Sequence, residues 1–170
     1  MLKLLGALLI VACGGLGGYV LSREYARRPP ELKAWLTVLQ RLETEISYAA
    51  TPLGEALAKI APHSGCQIQA AVQQAADLLN RGHSAAEAFD QALESTYARS
   101  SLRISDLGIL NNLALALGIS DCQDQIRHLQ LAGEQLKVEI VQAEEEARKN
   151  VKLYNYLGVC SGIALVLLVF

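Results

Sequence analysis

The stretch from Ile126 to Ala147, IRHLQLAGEQLKVEIVQAEEEA, places apolar or small residues at alternating steps of three and four. These residues are Ile126, Leu129, Gly133, Leu136, Ile140, Ala143 and Ala147. Because an α-helix turns once in about 3.6 residues, all of them fall on one helix face. A stripe without gaps over this length is typical of the seam of an antiparallel bundle or coiled coil.

The same periodicity recurs from Pro29 to Asn150, and no stretch alternates apolar and polar residues with a period of two. We therefore predict an all-α domain. Pro29 and Pro30 are predicted to break the chain before its first helix. Six helices are expected, at about 32–49, 52–60, 67–80, 84 onward, 105–117 and 121 onward into the C-terminal run.

Helix starts carry recognisable caps. Thr51 is expected to cap the second helix, with Pro52 at its first position. Ser84 followed by Glu87, and Ser120 followed by Gln123, match the capping box, in which each side chain accepts a hydrogen bond from the other residue's backbone. Such boxes predict the starts of the fourth and sixth helices.

Charge is distributed unevenly along the 170 residues, of which 52% are hydrophobic. Residues 1–22 and 153–170 together hold a single charged residue, Lys3. The segment from Glu31 to Asn150 holds 16 acidic and ten basic residues, a net charge of −6. Basic residues are concentrated at both ends of this segment: Arg23, Arg27 and Arg28 precede it, Arg148 and Lys149 are among its last residues, and Lys152 follows it.

Both terminal runs approach the length of about 20 apolar residues that a membrane helix needs. Lys and Arg beside a span stay on the cytoplasmic side, and both basic clusters face the middle of the chain. We therefore predict a membrane hairpin: a transmembrane helix at 1–22, a basic linker at 23–29, a cytoplasmic helical domain at 30–152 and a second span at 153–170, continuous with the sixth helix. Buried core helices are the alternative.

A second alternative concerns the N-terminus, where IVACG (Ile10–Gly14) is similar to a lipoprotein signal box. Cys13 would then be lipidated and the domain exported. The apolar run continues past Cys13 to Leu21, however, whereas the apolar core of a cleaved signal ends at the cut.

Small residues recur four apart in both runs, at Gly14 and Gly18 and at Gly158 and Gly162. Glycines at this spacing let two membrane helices approach closely. The two spans could pack on each other or on other membrane proteins, although glycine is also simply common in membrane helices.

The sequence contains few candidates for a catalytic, cofactor or metal site. His63 and Cys66 supply two of the three or four ligands that zinc needs, and no phosphate-binding loop or nucleophile–base pair stands out. We predict no enzyme activity, no cofactor, no metal and no nucleic-acid partner.

Acidic residues are the candidates for partner contact, namely Glu43, Glu45, Glu55, Asp106, Asp121 and Asp124. For Glu55 and Asp121, capping or compensation of the helix dipole is an alternative role.

Three segments carry a resemblance that covers essentially the whole chain. LQRLETEISYAATPLGEALAKIA (39–61), LALGISDCQDQI (115–126) and NVKLYNYLGVCSGIAL (150–165) resemble the stage III sporulation protein AB family of endospore-forming bacteria. More weakly, PLGEAL (52–57) and LLNRGHSAAEAF (78–89) resemble the cytoplasmic helical modules of the type II secretion inner-membrane platform protein F.

The resemblance implies a platform in the sporulation channel between mother cell and forespore, required for late forespore development. Implied partners are the membrane, the ATPase stage III sporulation protein AA and other proteins of that channel, and a homo-oligomer is possible. A two-span membrane sensor is the rival layout. The charge bias, which puts the domain inside, and the lack of a signalling domain after the second run argue against it.

Overall fold

The computed structural model describes the backbone of residues 2–49, 51–117 and 121–169. It describes the side chains of these residues except at 2–21, 24, 49, 155, 158–159, 162–165 and 167–169.

Six α-helices make up the described backbone, which contains no strand. They are α1 (Leu2–Ala49), α2 (Leu53–Ile60), α3 (Gln69–Asn80), α4 (Ala85–Tyr97), α5 (Ile104–Leu117) and α6 (Cys122–Val169). A 3₁₀ turn (Ala61–His63) follows α2. The all-α prediction and the number of helices are thus confirmed. So is the continuity of the sixth helix, because α6 runs from Cys122 to Val169 without interruption.

The predicted break at Pro29 and Pro30 is wrong, because α1 continues through both residues. Proline lacks a backbone N–H, so the helix loses two hydrogen bonds here, yet its fixed φ is compatible with helical backbone. Glu31, Leu32 and Trp35, just after the prolines, are all buried. Packing of this following turn offsets the lost hydrogen bonds. The boundary between two compact units of the chain nevertheless falls between the two prolines.

One unit comprises Pro30–Val141. Its core contains fully buried residues from α1 and α6, including Leu32, Leu39, Leu42, Leu129 and Leu136. The two helices run antiparallel, since Leu36 lies beside Gly133, Glu43 beside Gln130 and Ile46 beside Cys122. Four residues of the stripe predicted on the sixth helix, Leu129, Gly133, Leu136 and Ile140, are buried in this unit.

The remaining helices of this unit pack in chain order, α2 on α3, α3 on α4 and α4 on α5. Gly82 lies in the turn that follows α3 and has a φ of 92°, a backbone conformation that favours glycine. The capping box at Ser84 and Glu87 is confirmed, with both reciprocal hydrogen bonds present.

One other predicted cap differs from the structure. Pro52, not Thr51, occupies the N-cap position of α2, and the Thr51 hydroxyl donates to the Glu45 carboxylate instead. Ser120 lies outside the described residues. Asp121 caps α6, because its carboxylate accepts a hydrogen bond from the Asp124 backbone N–H at 2.9 Å. Asp is as good a cap as Ser, so the choice between neighbours depends on where the helix begins.

The other unit comprises residues 1–29 and 142–170. The Tyr25 and Tyr154 rings stack with centroids 5.7 Å apart, and Arg28 Nη1 lies 3.7 Å from Glu146 Oε2. The α1 and α6 segments of this unit therefore also lie antiparallel and in contact. Within the part of the chain that the structure describes, no helix combines the length and apolar content required to cross a bilayer.

Gly54 lies at a close contact between α2 and α3. A Cβ at this position would lie 2.4 Å from Asn80 Oδ1 and 3.2 Å from Leu79 Cβ. Gly54 belongs to PLGEAL, and both neighbours belong to LLNRGHSAAEAF. These two segments thus pack directly on each other.

We expect Gly54→Ala to lower the free energy of unfolding by about 1–3 kcal/mol, because the added methyl overpacks the α2–α3 contact. Gly108→Ala is the matched control: a Cβ there has no neighbour within 4 Å, so the change should stabilise α5 by up to about 1 kcal/mol. Denaturant unfolding of the full-length chain measures both. Equal effects of the two substitutions would contradict the close approach.

Candidate protein-binding site

Glu43 lies on α1 at the edge of a shallow groove between α1 and α6. Its Oε1 accepts a hydrogen bond of 2.7 Å from Gln130 Nε2, so the two side chains connect the helices across the groove. The groove has a volume of about 80 Å³. Its lining includes the apolar side chains of Leu36, Leu39 and Leu129. It is much smaller than the roughly 300–1,000 Å³ of a typical small-molecule pocket, so a metabolite site is not indicated.

Glu45 connects α1 to α2. Its Oε2 lies 3.3 Å from Lys59 Nζ and 3.3 Å from the Thr51 hydroxyl, which donates to it. Glu55 precedes Lys59 by four residues, so the two lie on the same face of α2. Glu55 is exposed in the first turn of that helix, where the helix dipole favours a carboxylate.

Asp121 and Asp124 lie at the start of α6, and both are exposed. The Cys122 thiol, next to Asp121 in the chain, donates to the Ile46 carbonyl oxygen at 3.7 Å, and Ile46 is next to Glu45. The start of α6 therefore lies against the last turns of α1. The sequence allowed two roles for Asp121, capping and partner contact. The structure shows that Asp121 caps α6. Because its side chain is also exposed, it is accessible to a partner.

Five of the six predicted carboxylates are thus brought to one end of the Pro30–Val141 unit. We refer to Glu43, Glu45, Glu55, Asp121 and Asp124 as the acidic end. They come from three helices that are separate in sequence, and the contacts Glu43–Gln130, Glu45–Lys59 and Cys122–Ile46 hold these helices together. A cluster of this sign attracts positively charged surfaces.

Asp106 does not belong to the acidic end. Its side chain is 0% exposed, and its Oδ2 accepts a hydrogen bond of 2.8 Å from the Arg103 backbone N–H. This carboxylate therefore stabilises the turn before α5 and presents no surface to a partner. A residue in the first turn of a helix often has this role, so the signal was available in the sequence.

Glu31 is a buried carboxylate that the sequence reasoning did not single out. It accepts hydrogen bonds from the Ser100 hydroxyl at 2.5 Å and the Ser101 backbone N–H at 2.8 Å. Ser100 Oγ also accepts from the Leu102 N–H at 3.0 Å. Glu31 thereby fastens the α4–α5 connection to α1, across 70 residues of chain. No local motif indicates this contact, because its partners are distant in sequence.

The start of α4 is stabilised by charge as well as by its cap. Two hydrogen bonds lower the pKa of Glu87 below its ordinary value. The larger effect comes from the Ser84 backbone N–H and the smaller one from the Ser84 side chain. His83 lies 3.8 Å from Glu87 and acts in the same direction when protonated. Glu87 therefore stays ionised at neutral pH and strengthens the cap.

Metal ligands do not converge within the described side chains: no three His, Cys, Asp or Glu residues are grouped as a metal site would require. The predicted helix-packing residues Gly14, Gly18, Gly158 and Gly162 lie outside the described side chains, so that hypothesis stays a prediction.

The fold and the position of its carboxylates define a class: an all-α domain with a charged end assembled from several helices. The chain matches the family model of stage III sporulation protein AB over residues 3–170. Stage III sporulation protein AB of Bacillus subtilis (strain 168) is 34% identical over 169 residues, which cover 99% of both chains. The chain belongs to the stage III sporulation protein AB family.

A solved structure of stage III sporulation protein AB is also similar to this chain. The TM-score is 0.66 at 30% sequence identity, and the match covers 71% of this chain and 96% of the solved one. These relatives are named as sporulation proteins and not as enzymes.

We expect Glu31→Ala to lower the free energy of unfolding by about 2 kcal/mol, because Ser100 and Ser101 lose their buried acceptor. Thermal unfolding of the full-length chain, followed by circular dichroism, should show a midpoint lower by about 4–8 °C. Glu94→Ala, at an exposed position of α4, is the control and should change stability by less than about 0.5 kcal/mol. Similar midpoints for both variants would contradict a structural role for Glu31.

Proposed function

We propose that this chain is a membrane platform of the sporulation channel between mother cell and forespore, and that its acidic end docks a cytoplasmic ATPase. Membership of the stage III sporulation protein AB family supports a role in sporulation. The observation that carries the docking proposal is the convergence of five carboxylates from α1, α2 and α6 at one end of the Pro30–Val141 unit.

The membrane part of the proposal rests on the sequence and on one exposed surface. Leu153, Tyr156 and Leu157 are 52%, 71% and 54% exposed. Lys149 and Lys152, also exposed, directly precede them. Exposed apolar groups beside aromatic and basic side chains are typical of a membrane interface. The terminal apolar runs would then be the two spans of a hairpin, with the helical unit in the mother-cell cytoplasm.

The proposed partner at the acidic end is the ATPase stage III sporulation protein AA, with other channel proteins bound elsewhere on the platform. The family resemblance suggests this partner, and the charge of the acidic end suggests the chemistry of the contact. The complementary surface on the ATPase should carry Arg and Lys, because opposite potentials steer association and fix its register. The continuous helix α6 begins beside this end, so it would connect ATPase contact to the C-terminal run.

Charge reversal at two exposed residues of the acidic end tests the docking. We expect Glu55→Lys with Asp124→Lys to weaken recovery of the ATPase in pull-downs by about tenfold or more. The same variant should reduce the yield of heat-resistant spores. Wild-type recovery should fall as salt is raised, because the contact is electrostatic.

The matched control is Asp90→Lys with Glu94→Lys on α4, which changes the net charge by the same amount at other exposed positions. This control should retain ATPase recovery. Equal recovery with both variants would move the ATPase contact away from the acidic end and leave the family assignment unaffected.

Topology is tested with Cys66, which is exposed in the Pro30–Val141 unit. In a background with Cys13, Cys122 and Cys160 replaced by Ser, a membrane-impermeant maleimide should label Cys66 only after permeabilisation. Labelling in intact cells would favour the rival readings, a two-span sensor or a lipid-anchored exported helical binding protein, and would contradict the platform proposal.

A further inference from the structure

The outer face of helix α5 carries no charge. Ile104, Ser105, Gly108, Asn112 and Leu115 lie on this face. Ile104 is 80% exposed and Leu115 is 55% exposed. Across Ile104–Leu117, all of which the structure describes, Asp106 is the one charged residue, and it is fully buried on the opposite face. We refer to these five residues, of which Gly108 is half-buried and the others are exposed, as the α5 face.

The α5 face is shaped for close approach by another helix. A Cβ at Gly108 would meet no heavy atom within 4 Å, so the space above the middle of the face is open. Ile104 and Leu115 lie on either side of Gly108, about three turns apart along the helix. A helix that is apolar nearly all round is normally covered on all sides. The structure covers only the inner side of α5.

The charge of the unit indicates which partner fits. Residues 30–141 hold 13 acidic and eight basic side chains, a net charge of −5. Two copies of this unit therefore repel each other electrostatically. Two copies can contact each other without bringing like charges together only through a face that carries no charge. A basic partner would instead be drawn to the acidic end. The absence of charge on the α5 face thus favours a second copy of this chain over a basic protein.

Symmetry adds a second argument. In a two-fold contact each residue near the axis meets its own copy, so the face must be complementary to itself. Apolar side chains satisfy this condition, and so does Asn112, since its amide both donates and accepts hydrogen bonds. We propose that α5 is a self-association surface, through which two copies of the chain pack their α5 helices antiparallel about an axis near Gly108 and Asn112.

The contact should be weak on its own. A helix of 14 residues is about 21 Å long, so one face is smaller than the roughly 800 Å² per partner that a stable interface buries. The α5 face would therefore be the centre of a larger contact or of a concentration-dependent dimer. Covalent trapping is the suitable measurement.

Disulfide trapping in the full-length chain tests the proposal. In a background with all four cysteines replaced by Ser, Asn112→Cys should form a covalent dimer on mild oxidation, because Asn112 lies near the axis. Gln91→Cys, at an exposed position of α4, is the matched control and should remain monomeric. Raising the salt concentration should increase trapping, since it screens the repulsion between copies. This salt effect is opposite to the one expected for ATPase docking, so the two proposals fail independently.

A charge placed on the α5 face should prevent the contact without damage to the fold. Gly108→Arg has space in the monomer, but it would bring two like charges together across the axis. We expect it to lower trapping through Asn112→Cys by about tenfold or more, without lowering the thermal midpoint. Tyr48→Arg, at an 89% exposed position of α1, should leave trapping unchanged. The proposal is overturned if Asn112→Cys forms no more dimer than Gln91→Cys at any salt concentration, or if trapping persists with Gly108→Arg.

Discussion

The antiparallel pairing of α1 and α6 is the contact on which the Pro30–Val141 unit depends. Glu43 and Gln130, which meet across this pairing, are 87 residues apart in the chain, and α2 to α5 lie between them. Closing so long a loop costs conformational entropy that local contacts do not recover. The cost is offset by burial of apolar side chains from both helices, among them Leu32, Leu42, Leu129 and Leu136.

Carboxylates have three different roles in this unit, which their environments determine. Glu31 and Asp106 are buried and accept backbone hydrogen bonds, so they stabilise connections between helices. Asp121 and Glu87 stabilise the first turns of helices. The acidic end carries charge to the surface, whereas the α5 face carries none. This division gives the unit two different surfaces: the acidic end, suited to a basic partner, and the α5 face, suited to another face without charge.

The helices and most of their ends follow from local chemistry that a sequence displays. Helix α4 begins at its Ser84–Glu87 box, and the α3 turn closes at Gly82, as local rules predict. The predicted break at Pro29 and Pro30 does not occur, because burial of the next turn keeps α1 continuous. Asp106 looked like a surface residue and is buried. The hydrogen bond of Asp106 to the Arg103 backbone N–H is local and follows from its place in the first turn of α5. The burial of both segments comes from residues that are distant in the chain, and a local pattern contains no record of it.

The sequence by itself determined the all-α class, the buried stripe of α6 and the family, since periodicity, caps and motif segments are local properties of the chain. Only the tertiary structure decided which carboxylates converge and which face of α5 is left uncovered. The physical reason is that convergence depends on how helices from three parts of the chain pack. Exposure likewise depends on what lies above a residue and not on its neighbours in sequence.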